Sequence, residues 1–105
     1  MKKVEIDAGA CGMKTTVLAE SEDGMNVSVT VRSDCENIKR MMEDLGDAFN
    51  AYALCLSKPG TNELYRYAAE HFPGHAACPA LAGITKCAEA ECGLALAKDS
   101  TIKFT

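Results

Sequence analysis

The apolar residues of this chain change period once, and that change limits the folds open to it. Up to residue 32 they alternate. Val4, Ile6 and Ala8 are interleaved with Lys3, Glu5 and Asp7, and Met25, Val27, Val29 and Val31 with Asn26, Ser28, Thr30 and Arg32. A period of two is that of a strand with one buried face. Beyond residue 33 the apolar positions recur at three and four, as on a helix with one buried stripe. Strands are therefore expected at about 3–8, 14–20 and 25–32. Ser21-Glu22-Asp23-Gly24 carries the Asp-Gly hairpin signal between the last two.

Ser33-Asp34-Cys35-Glu36 reads as a capping box, with Ser33 as N-cap and Glu36 at the third helical position. The helix it opens carries Ile38, Met41, Met42, Leu45, Phe49 and Tyr52 at helical spacing, with Gly46 as a weak point or an end. Ser57-Lys58-Pro59-Gly60 is a break. Thr61 is then expected to cap a second helix through Leu64, Tyr65, Ala68, Ala69 and Phe72. Pro73 and Gly74 stop that helix, and Pro79 suits the first turn of a third. Thr101-Ile102-Lys103-Phe104 reads as a last short strand. The order βββαααβ predicts an α+β fold: a mostly antiparallel sheet of about four strands with helices on one face. The 105 residues make one domain, 1–105.

Composition excludes some functions. Hydrophobic residues make up 48% and charged residues 25%, as in an ordinary globular domain. The net charge of −4 and the absence of a basic run argue against nucleic acid and anionic membranes as partners. No apolar stretch approaches the roughly 20 residues of a transmembrane helix. The start Met1-Lys2-Lys3-Val4-Glu5 is that of a strand, not a signal peptide. A cytoplasmic location is expected. In a reducing compartment the six cysteines are fillers, metal ligands or reactive thiols, not structural disulfides.

The cysteines divide by position. Cys11 sits between glycines in a loop whose backbone N–H groups are expected to favour an anion or thiolate. Cys35 and Cys78 fall at the expected starts of the first and third helices, where the dipole and free N–H groups favour a thiolate. His75 lies three residues before Cys78, and a Cys3His set is a closed zinc arrangement. Cys55 and Cys87 read as small core residues, and Cys92, before Gly93, as either. No Cys-x-x-Cys pair occurs. The leading expectation is a metal site, zinc or an iron–sulfur cluster, formed by Cys11, Cys35, Cys78 and His75. It requires the loop and both helix starts to share one edge of the sheet. The alternatives are a thiol redox enzyme, with Cys35 or Cys78 attacking, and a scaffold that binds a protein partner with its cysteines as filler. His71 reads as an exposed helix-end residue.

Ala8-Gly9-Ala10-Cys11-Gly12, Ser33-Asp34-Cys35, His75-Ala76-Ala77-Cys78-Pro79 and Gly93-Leu94-Ala95-Leu96 together resemble a small uncharacterised domain family of anaerobic archaea and bacteria. The resemblance covers nearly the whole chain. It implies that the three motif cysteines act together, in an anaerobe's cytoplasm where oxygen-sensitive clusters survive. Ala97-Lys98 departs from it where a proline is expected. A second, local resemblance concerns Cys78-Pro79-Ala80-Leu81-Ala82-Gly83. It is similar to the second active-site cysteine segment of the osmotically inducible hydroperoxide-reductase family, which implies peroxide reduction by paired cysteines. The long central helix with its own cysteine that this family carries is not evident here.

Overall fold

In the computed structural model, which describes residues 1–105, four strands form one antiparallel sheet in the order β1-β2-β3-β4. The strands are β1 (Lys2–Asp7), β2 (Lys14–Glu20), β3 (Asn26–Ser33) and β4 (Ala48–Asn50). Val17 pairs with Val31, Ala19 with Val29, and Val27 with Phe49. This register puts all of these side chains on one face, and with Thr15 they form the floor of the core. The opposite face carries Lys3, Glu5, Asn26, Ser28 and Thr30, all exposed to solvent.

Four helices lie on the apolar side of the sheet, α1 (Glu36–Leu45), α2 (Ala51–Cys55), α3 (Glu63–His71) and α4 (Ala80–Glu91), with α1 and α4 on the strands and α3 packed on α1. Each contributes its periodic residues to a single core, Ile38 and Met41 from α1, Leu54 from α2, Leu64 from α3, and Leu81 and Ile84 from α4. The α+β class and the antiparallel four-stranded sheet are as the period change requires.

The fourth strand is not the one expected. The helix that starts near residue 35 ends at Leu45, because Gly46 reverses the chain with φ 78° and ψ −166° and returns its N–H to the Met42 carbonyl at 2.9 Å. Ala48–Asn50 then adds to the β3 edge. Phe49 meets the core from a strand rather than a helix. Helical spacing could not separate the two, since either geometry buries that residue. Thr101–Phe104 belongs to no strand, and every residue from Ala95 to Thr105 is exposed. The element order is therefore βββαβααα.

Two caps also differ. Asn62, not Thr61, caps α3, its Oδ1 accepting from the Tyr65 N–H at 3.1 Å. Its amide nitrogen donates to the Leu54 carbonyl at 3.0 Å and to Thr85 Oγ1 at 3.2 Å. One buried side chain thus ties α2, α3 and α4 together. Ser33 does not cap α1; Cys35 occupies the N-cap position and Glu36 is the first helical residue. Ser33 Oγ accepts instead from the Cys35 N–H at 3.1 Å.

Candidate functional site

The direction of α4 decides where its start lies. Gly83 sits against Ile6, near the end of β1. One turn on, the Cys87 thiol points at the Lys2 carbonyl, 3.4 Å away, and the Val17 carbonyl, 3.7 Å away. One turn further, Glu91 accepts from the Ser21 N–H at 3.0 Å and lies 3.2 Å from the Met1 ammonium. The helix therefore runs antiparallel to β1, and its start faces the end of the sheet where β1 finishes and β2 begins. The β1–β2 loop is at that end, and so is the start of α1, which follows β3. Cys11, Cys35 and Cys78 accordingly share one end of the sheet.

Local chemistry holds these segments. In the loop, Gly9 (φ 84°) and Gly12 (φ 70°) take left-handed backbone that a side chain would strain. The Gly9 N–H donates to Asp7 Oδ1 at 2.9 Å, and the Gly12 N–H to the Gly9 carbonyl at 2.9 Å. These two N–H groups serve the turn itself. At the start of α1, Asp34 makes a two-way tie with Lys14. Its N–H donates to the Lys14 carbonyl at 3.0 Å, and its Oδ2 accepts from the Lys14 N–H at 3.1 Å. Helix-start electrostatics alone accounts for Asp34 in the sequence; the contact that matters is a lock between helix and sheet. Cys35 makes no side-chain capping bond.

Cys11 and His75 are exposed, while Cys35 and Cys78 are half-buried against the core. Cys78 lies just before Pro79, the N-cap of α4. Burial, and secondarily the charge of Cys78, push the phenol of Tyr65 in α3 up. No group of three or more Cys, His, Asp or Glu side chains stands positioned to hold a metal ion. The four candidate ligands share a region but not a common ligand shell.

The other cysteines are set apart by their surroundings. Cys87 is fully buried, and desolvation pushes its thiol up. Cys55 is half-buried and pushed up to about 11, by desolvation first, then by the Glu89 carboxylate and Cys92. Cys87 is a core thiol as expected, whereas Cys55 is packed against the core without being enclosed by it. His71 ends α3, its ring tilted 34° against that of Tyr67 with centroids 4.2 Å apart.

The opposite end of the sheet carries a feature the sequence did not announce. An open groove of about 910 Å³ is bordered by Glu20, Glu22, Asp23, Phe49 and Glu91. Its carboxylates are partly committed to the fold. Asp23 accepts from the Met25 and Asn26 N–H groups, each at 2.9 Å, which holds its carboxyl down at about 2. Glu91 joins α4 to the first residue and to the β2–β3 turn.

No helix is long and apolar enough to cross a membrane. Neither the comparison with curated proteins nor the comparison with solved structures finds a match. A family model spans almost the entire chain, in keeping with the resemblance to an uncharacterised family. On that match, over residues 2–104, the chain belongs to the family of unknown function DUF6951.

Proposed function

We propose that the protein binds a thiophilic metal, zinc or an iron–sulfur cluster, through Cys11, Cys35 and Cys78, with His75 as a fourth ligand. The observation that carries this reading is the antiparallel run of α4 over β1. It brings the start of α4 to the same end of the sheet as the β1–β2 loop and the start of α1. None of the four side chains makes a hydrogen bond or ion pair that binding would have to break. The side chains do not form a ligand shell as they stand, so binding draws the exposed loop and the 73–79 segment onto Cys35. The protein is then a cytoplasmic module, a location supported by six free cysteines. The acidic balance of −4 supports a role without nucleic acid.

The test is elemental analysis of anaerobically purified protein, followed by zinc titration of the apo form. Stoichiometric metal that is lost in Cys11→Ala and Cys78→Ala, and kept in Cys55→Ala, is expected. Substoichiometric metal, with Cys11, Cys35 and Cys78 all freely alkylated, would sink the reading.

A second reading is thiol redox chemistry with Cys35 or Cys78, both half-buried at this end of the sheet, as the attacking thiolate. It predicts peroxide-driven disulfide formation. Sluggish reaction of all six thiols at neutral pH removes it. Where neither chemistry is found, the domain is a scaffold for a protein partner, its cysteines serving as filler.

A further inference from the structure

The segment after α4 carries large apolar side chains with nothing to cover them. Leu96 and Ile102 are 84% and 88% exposed, and Phe104 is fully exposed. Ile102 and Phe104 alternate with Thr101, Lys103 and Thr105, a β-branched and aromatic pattern with the period of a strand. Single exposed apolar residues need no explanation, but two on one face of a strand-like segment call for a sheet.

The sheet offers an edge of matching length. β1 is the outermost strand, and beyond its ladder with β2 its backbone makes no further backbone hydrogen bond. The Lys2 carbonyl alone meets another group, the Cys87 thiol. The other edge, β4, is only three residues long and runs directly into α2. On the core side of β1, Val4 and Ile6 are half-buried, left open along the rim. An open edge of this kind is a template for strand addition.

We infer that Thr101–Thr105 of one copy of the chain adds as a strand along the β1 edge of a second copy, so that two copies exchange these segments. A register centred on Lys103 opposite Glu5 satisfies both faces at once. Ile102 and Phe104 then continue the apolar side next to Val4 and Ile6, and Lys103 meets the carboxylate of Glu5 on the solvent side. The match holds for parallel and antiparallel addition, because both segments are symmetric about their central charge. The occupant is a second copy rather than the chain's own segment, because the single chain leaves Ile102 and Phe104 clear of its own edge.

The test is sedimentation of the full chain from micromolar to millimolar concentration, with amide exchange of β1 followed by NMR. A reversible dimer is expected, with concentration-dependent protection of β1 amides. I102D/F104D, at two exposed sites that leave the core untouched, weakens dimerisation about tenfold or more. Glu5→Lys weakens it, and E5K/K103E restores it. A monomer at every concentration overturns the inference. So does a dimer indifferent to I102D/F104D, or protection that is independent of concentration, which would mean the segment docks on its own chain.

Discussion

A β-carbon added to Gly83 would stand 2.3 Å from Cδ1 and 2.6 Å from Cγ1 of Ile6. The absence of a side chain on α4 is what lets the helix lie on β1. Two effects oppose one another in Gly83→Ala. Alanine stabilises a helix interior by about 1 kcal/mol over glycine. Overpacking costs about 1–3 kcal/mol. Ile6 is half-buried and can yield only in part, so a net loss of about 1 kcal/mol is expected in urea unfolding. Ile6→Ala removes the clashing atoms. In that background Gly83→Ala should become neutral or stabilising, and a double-mutant cycle measures the coupling.

Gly46→Ala tests the turn that ends α1. With φ 78° and ψ −166°, the position lies in a region open essentially to glycine. A loss of about 1–3 kcal/mol is expected, accompanied by faster amide exchange in β4. A neutral result would mean that the chain reaches β4 by another route.

Asn62→Ala removes one cap and two bonds that join three helices. The Leu54 carbonyl is left buried without its partner, at a cost of about 1–3 kcal/mol. Asn62→Asp keeps the cap and loses both donors. Its unfolding midpoint should fall between those of the wild type and Asn62→Ala if the cap carries weight, and below both if a buried carboxylate dominates.

The raised thiols give a pH dependence with a definite sign. Cys55 moves from 9.0 to about 11 on folding, mainly through desolvation. Between those values the unfolded chain has lost this proton and the folded chain retains it. Stability is therefore whole below pH 9 and falls as pH rises towards about 11. Cys87 shifts in the same direction, again through burial. Thermal unfolding across alkaline pH should show this decline, and Cys55→Ala should make it shallower while Cys87 keeps part of it. Alkylation at neutral pH should reach the exposed Cys11 well before the buried Cys87.

Much of the fold could be read from period alone. The three strands, the hairpin at Asp23-Gly24 and the helix stripe of Ile38 and Met41 follow from which residues must face inward. The misreadings occur where local signals are degenerate. Phe49 fits the helical stripe and also a strand, and Gly46 can weaken a helix or end it. Thr61 and Asn62 are both good caps. Thr101–Phe104 has the pattern of a strand, but a strand exists only with a neighbour to hydrogen-bond.

The cysteines show the same division. The sequence by itself determined that Cys35 opens a helix and that Cys87 sits among core residues, because position along an element sets local environment, while Cys55, expected in the core, is only half-buried. It also determined that one face of the sheet is apolar. Only the tertiary structure decided that α4 runs antiparallel to β1 and so brings Cys11, Cys35 and Cys78 to one end. It also decided that their side chains stop short of a common ligand shell. The reason is physical: a period records which way a residue faces, while the meeting of distant segments depends on helix direction and on contacts such as Gly83 on Ile6.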